Sequence, residues 1–198
     1  MVIVVSNPEP LDNEAEIINN LFAEGMELFH LRKPGDNKEL VRTLLKDIKP
    51  EHYSKISLHQ HHELATEYGI TRLHYKKKVR RNVREEELIK YKNKNYILST
   101  SVHSLRSYAK LMEYFNYTFM GPVFDSISKT GYMSGFWKDM GITDEKASIK
   151  MIAIGGISTD NVQKALDMGF DGVAVLGTIW KDPTKAIDNF KKLAKYVY

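Results

Sequence analysis

Cysteine is absent from all 198 residues. That excludes a disulfide framework, a thiolate nucleophile and any thiolate-held metal. Long apolar runs are missing too: none approaches the roughly 20 residues that a membrane-crossing helix needs. The opening Met1-Val2-Ile3-Val4-Val5-Ser6 lacks a basic flank, and its apolar stretch is too short for a secretory signal, so it reads as a first strand. Proline is scarce at six residues, and no Pro-rich or Gly/Ser-rich linker divides the chain. A single cytoplasmic domain over residues 1–198 is expected, long enough to bury a sizeable core. A large charge of one sign is also lacking, with 29 basic against 25 acidic residues and a net charge of +4. The one dense basic run, from Lys76 to Arg84, is followed at once by Glu85-Glu86-Glu87. Acid beside base argues against a nucleic-acid footprint. The expected partners are small phosphorylated molecules, with no nucleic acid and no membrane, and the sequence is compatible with a monomer or a homo-oligomer.

What is present repeats. Three helix-like stretches end at Gly25, Gly69 and Gly169, and an apolar strand follows each. Glycine just past a helix end supplies the left-handed residue that closes the last turn. The intervals between these glycines divide into units of about 22 and 25 residues, the length of a short strand–helix pair, and about eight such units fill the chain. Strands are expected at Val2–Val5, Glu27–Leu31, Lys55–His59, Arg72–Tyr75, Tyr96–Val102, Tyr117–Met120, Lys150–Ile154 and Gly172–Leu176. Asp12, Asp36 with Glu39, and Ser158 are the expected helix caps. Strands alternating with helices at this interval give a parallel sheet with right-handed crossovers, and eight units close it into an α/β (β/α)₈ TIM barrel. Residues 125–141 carry three glycines and no steady period. They follow the sixth strand, on the face where such barrels place their chemistry.

The strand ends are polar in a consistent way. His30 and Arg32 close the second strand, His59 and Gln60 the third, His74 the fourth, Ser101 and His103 the fifth. Residues two apart on a strand share a face, so these side chains can share one mouth. His59-Gln60-His61-His62 has the look of a metal cluster, but His61 and His62 fall where the next helix begins, and no metal site is expected there. Gly155-Gly156 after the seventh strand and Gly177-Thr178 after the eighth suit phosphate, because glycines let backbone N–H groups approach an anion. Ser126, Ser128 and Lys129 bring two hydroxyls and an ammonium within four residues, a donor set for a second phosphate or a pyrophosphate.

Together these motifs resemble the thiamin-phosphate synthase and TenI-like thiazole tautomerase family. The family's Gln-x-Arg-x-Lys resembles His30-Leu31-Arg32-Lys33-Pro34, with the lysine displaced to Lys33, and its Ser-x-His resembles Ser101-Val102-His103. Its Gly-Pro-x-Phe/Tyr-x-Thr-x-Thr-Lys resembles Gly121–Lys129, and its two glycine motifs resemble Ile154–Ile157 and Gly172–Ile179. The resemblance implies a synthase: pyrophosphate leaves hydroxymethylpyrimidine pyrophosphate, and the nitrogen of thiazole phosphate captures the carbocation. It implies catalytic roles for Lys129, His103 and Ser101, and substrate binding by His30, Arg32, Lys33, His59, Ser126 and Ser128. Gly155, Gly156, Gly177 and Thr178 would hold the thiazole phosphate. Magnesium is implied as cofactor, yet its carboxylate ligands are replaced by residues at His59-Gln60-His61 and Lys77-Lys78-Val79. That substitution also fits the tautomerase branch, where His103 or His59 would move the proton, or a barrel that binds thiazole phosphate without catalysis. The change of sign further suggests that Lys76, Lys77 and Lys78 neutralise pyrophosphate in place of the metal.

Overall fold

The computed structural model describes residues 1–35, 37–124 and 149–197. The chain opens with strand β1 (Val2–Val5), helix α1 (Glu14–Ala23), β2 (Leu28–Leu31), α2 (Lys38–Asp47) and β3 (Ile56–Leu58). It continues through α3 (Leu64–Tyr68), β4 (Arg72–Tyr75), two helices α4 (Lys77–Arg80) and α5 (Glu85–Asn93), then β5 (Ile97–Val102), α6 (Leu105–Tyr108) and β6 (Tyr117–Met120). The last described stretch holds β7 (Lys150–Ile154), α7 (Val162–Asp167), β8 (Gly172–Val175), α8 (Gly177–Trp180) and α9 (Ala186–Ala194). Every strand pairs in parallel with its neighbour in sequence, and β8 returns to β1, so the sheet is a closed barrel. The expected fold is the observed one. Four strands have the expected limits; β2, β5 and β8 are shorter by one residue at one end, and β3 by one at each end.

Strands buried on both faces read as continuous apolar runs rather than alternating ones. The period of two still sorts their side chains. Val2, Val4, Phe29, Leu31, Leu73 and Leu98 pack outward under the helices, whereas Ile3, Val5, Leu28, Tyr117, Phe119, Ile152 and Ala174 form a separate cluster inside the barrel. That interior is lopsided. Apolar and aromatic groups of β6, β7, β8 and β1, with Leu28 of β2, fill part of it, while the rest of β2 to β5 contributes His30, Ser57, His74 and Ser99, joined by His59 just past β3.

The helix-closing glycines behave as expected: Gly25, Gly69 and Gly169 all have positive φ. The caps do not. Asn13, not Asp12, precedes α1, and it makes no side-chain cap bond. Asp36 lies outside the described residues, and Asn37 caps α2 by accepting from the Leu40 N–H at 3.1 Å. Asn161 rather than Ser158 precedes α7; Ser158 opens the turn before it, where its Oγ accepts from the Asp160 N–H. In each case the short polar residue nearest the first turn took the place of the one a step or more upstream.

Lys33 departs furthest from expectation. It is buried, and its ammonium donates to Glu14 at 2.5 Å, to the Asn7 carbonyl at 2.8 Å and to the Glu9 carbonyl at 3.3 Å. Three acceptors commit its three protons to the loop between β1 and α1, leaving none for a substrate. Burial raises the Glu14 pKa, and the Lys33 hydrogen bond and charge oppose that rise. Replacing Lys33 by Met should strand a buried carboxylate and cost about 3–5 kcal/mol in denaturant unfolding. The double change with Glu14→Gln should recover most of that loss; no recovery would show that Lys33 acts through other contacts.

Candidate active site

Three histidines meet inside the barrel toward its C-terminal end. His30 Nδ1 is hydrogen-bonded to His59 Nε2 at 2.8 Å, and His30 Nε2 to the Tyr117 hydroxyl at 2.7 Å. The His59 ring stacks on His74 at 3.9 Å between centroids and 17° between planes. His74 in turn meets Ser99 Oγ and Ser101 Oγ, each at 2.9 Å. The Ser99 hydroxyl donates to the Leu73 carbonyl. Both ring nitrogens of His74 thus have a hydroxyl partner, one nitrogen donating and the other accepting in the neutral ring.

The three imidazoles are neutral at pH 7. Burial, with help from the Arg72 charge, pushes His30 down to about 3. His59 and His74 are held well below the ordinary imidazole value, first by burial and then by their neighbours, Arg32 and Lys76 among them. Burial likewise raises the Tyr117 phenol to about 12, against the opposing influence of its neighbours Ser99, Arg72 and Ser57. A line of neutral donors and acceptors thus forms the floor under the mouth.

One nitrogen of each of these histidines lies within 4.8 Å of the others, the spacing of a metal cage. The ring geometry speaks against one. Imidazole lone pairs lie in the ring plane, and two nearly parallel stacked rings cannot aim them at one ion. Both nitrogens of His30 and both of His74 already have partners. The cluster is two hydrogen-bonded sets, His59–His30–Tyr117 and Ser99–His74–Ser101, joined by the stacking of His59 on His74.

Arg32 and Lys76 stand at the mouth, directly after β2 and β4. The Arg32 backbone is fixed by buried Ser6, whose Oγ accepts from its N–H and donates to its carbonyl, both at 2.8 Å. His103 donates from Nδ1 to the Gly121 carbonyl at 2.7 Å, which fixes its tautomer and leaves Nε2 as a base.

The loops after β6 and β7 run side by side. Val123 N–H donates to the Ile154 carbonyl at 3.0 Å, and Phe124 N–H to the Gly155 carbonyl at 3.1 Å. Gly155 and Gly156 have φ of 96° and 66°, and a Cβ on Gly155 would come within 2.8 Å of Pro122 Cα. Glycine is required there both for conformation and for contact. Gly155→Ala should cost about 1–3 kcal/mol of stability and raise KM for a phosphorylated substrate; an unchanged melting temperature would refute this close fit.

Asn161, unnoticed in the sequence, pins the same loop twice. Its Nδ2 donates to the Gly156 carbonyl, and its Oδ1 accepts from the Ser158 N–H, both at 2.8 Å. Thr178 donates its hydroxyl to the Ile157 carbonyl, tying the β8 loop to the β7 loop. The Thr178 side chain is therefore a brace, and any anion would meet the first-turn N–H groups of Gly177 and Thr178. Ser126, Ser128 and Lys129 lie outside the described residues. Tyr117, Ser57 and Ser99 were legible only as members of strands; their inward direction follows from the register that pairs Ser57 with His30 and Ser99 with both His74 and Tyr117.

Comparison with known proteins gives a consistent result. Residues 1–179 match the family model described as thiamine monophosphate synthase. The thiamine-phosphate synthase of Staphylococcus epidermidis is 25% identical over 191 residues, covering 91% of this chain and 85% of that protein. The structure of a thiamine phosphate pyrophosphorylase from Bacteroides thetaiotaomicron superposes with a TM-score of 0.76 at 26% identity, covering 98% of this chain and 96% of the other. One from Pyrococcus furiosus, at 20% identity and a TM-score of 0.72, covers 99% and 94% and shares the fold.

Proposed function

Because the chain belongs to the thiamine monophosphate synthase family, we propose that it joins hydroxymethylpyrimidine pyrophosphate to thiazole phosphate, as a transferase of thiamin biosynthesis. The observation that carries this reading is the adjacency of the β6 and β7 loops, which sets Gly121-Pro122 against Ile154-Gly155, at the same end of the barrel where Arg32 follows β2. In the reaction, the bond between the pyrimidine methylene and the pyrophosphate oxygen breaks, and its electron pair leaves with the pyrophosphate. The thiazole nitrogen lone pair then forms the new C–N bond. Charge develops on the departing oxygen, so cationic donors act where they count most; Arg32 would be one, and Lys129, outside the described residues, would be the second that the motif suggests. Ser126 and Ser128 would add hydroxyl donors to the same anion. The glycine loops after β7 and β8 would hold the thiazole phosphate through backbone N–H groups. The neutral imidazole floor of His30, His59 and His74 suits a polar, uncharged pyrimidine ring, whose nitrogen atoms need donors and acceptors rather than ions. No helix among the described residues is long and apolar enough to cross a membrane.

Magnesium, which the family implies, does not fit the described residues. It requires hard oxygen ligands, normally carboxylates. The ends of β3 and β4 present His59, Gln60 and Lys76 instead.

The test is an assay with both substrates, with thiamin phosphate and released pyrophosphate measured together. Formation of both in equal amounts is the expected outcome. Isomerisation of thiazole phosphate without the pyrimidine partner would instead select a tautomerase. That second reading has one observation in its favour, the basic Nε2 that His103 keeps beside Gly121. Binding of thiazole phosphate with neither product would select a non-catalytic barrel.

A further inference from the structure

Arg32 directly follows β2, Lys76 directly follows β4, and the end of β3 lies between them in the barrel wall. Both side chains are half-buried. Among the described residues, no carboxylate pairs with either. The two residues flank the β3 end, and both charges act on the His59 and His74 rings beneath it. Burial and the Arg32 charge together lower the Lys76 pKa. Two cations set this close and partly out of water repel one another, and an anion between them would reverse the sign of that interaction. Gln60, at the same strand end, buries both heteroatoms of its amide without a hydrogen-bond partner. Orphaned polar groups of this kind are commonly completed by water or a ligand. The rest of the basic run is different: Lys77 and Lys78 are exposed on α4.

We infer that Lys76 and Arg32 clamp the pyrophosphate of the pyrimidine substrate directly, in place of a divalent cation. The inference deepens the synthase reading and rests on it for the identity of the substrate. An ammonium and a guanidinium carry together the two positive charges that one magnesium ion would bring. The guanidinium adds a planar fork for two oxygens, and the ammonium a mobile point charge for a third. The family's carboxylates would be harmful in such a site, since they would neutralise the clamp before substrate arrived. Their absence and the presence of Lys76 then form one change rather than two.

Calorimetric titration of inorganic pyrophosphate into the whole protein, in excess chelator and low salt, tests this. Wild type should bind, and Lys76→Ala should weaken binding by about tenfold or more, the worth of one charge-assisted contact. Lys76→Arg should stay close to wild type, and Lys77→Ala should match it. Melting curves check that Lys76→Ala is folded. Binding only after magnesium is added, or equal binding by Lys76→Ala, would overturn the clamp. The substrate assay run beside it separates the two readings. Product made only with magnesium overturns the clamp and leaves the synthase standing. Metal-free pyrophosphate binding with no product under any condition does the reverse.

Discussion

Acid should unfold this protein at a pH where most barrels of its size still stand. His30, His59 and His74 all have folded pKa values far below the ordinary imidazole value, because burial penalises the charged ring. In the unfolded chain they titrate near 6.5. Between the two values the unfolded state binds more protons, so stability falls as pH falls. For His30, with a folded value of about 3, the window runs from the unfolded value down to that point. Each such histidine contributes a slope of up to about 1.4 kcal/mol per pH unit, so His30 alone removes on the order of 4–5 kcal/mol across its window. His59 and His74 act in the same direction, though stacked rings cannot both charge independently. Glu14 opposes them, since burial raises its pKa, but one carboxyl does not outweigh three imidazoles. Typical domains have only about 5–15 kcal/mol in total, so the acid transition should fall near pH 5. Urea unfolding at half-unit steps from pH 7.5 to 4.5 measures the slope, and His30→Gln should flatten it by close to one proton. Stability that is level from pH 7 to pH 5 would mean the rings are not buried as described.

This acid weakness was not legible in the sequence, although its residues were. The period of two placed His30 and Arg32 together, and the strand ends predicted a shared mouth. What linear order could not give was depth. His30 and His74 sit a residue or two inside their strands, so their rings turn into the barrel interior and bond with Tyr117, Ser99 and Ser101. The parallel register decides that, and it depends on all eight strands at once. Lys33 misled for a related reason. Its place in the motif suggested the mouth, but it alternates with Arg32 across the strand end and turns to Glu14 instead. The glycine units, in contrast, were legible because a left-handed residue at a helix end is a local demand. The Gly155-Gly156 turn was legible for the same local reason, since both glycines have positive φ. Its bracing by Asn161 and Thr178 was not, since those bonds cross from one loop turn to another.

Arg32→Ala should separate activity from stability, moving them in opposite directions. The backbone at this position is held by Ser6 through two hydrogen bonds that do not involve the guanidinium. Removing the side chain therefore leaves the strand end in place. It also relieves the repulsion with Lys76, whose pKa the Arg32 charge lowers. The variant should melt at or slightly above the wild-type temperature, with Lys76 titrating higher. Turnover should behave otherwise. A preorganised charged donor aimed at a leaving oxygen is worth about 10²–10³ in kcat, and the proposed reaction develops its charge on pyrophosphate. Arg32→Lys should recover only part of the rate, because an ammonium restores the charge but not the two-pronged geometry. Steady-state kinetics on the three proteins, with parallel melting curves, give the answer. If Arg32→Ala keeps kcat within about threefold of wild type, the guanidinium does not meet the departing anion. If it melts well below wild type, Arg32 is a structural residue, and its charge is spent on the fold. The expected result, a more stable and nearly inactive enzyme, is the signature of a site that holds like charges apart until substrate joins them.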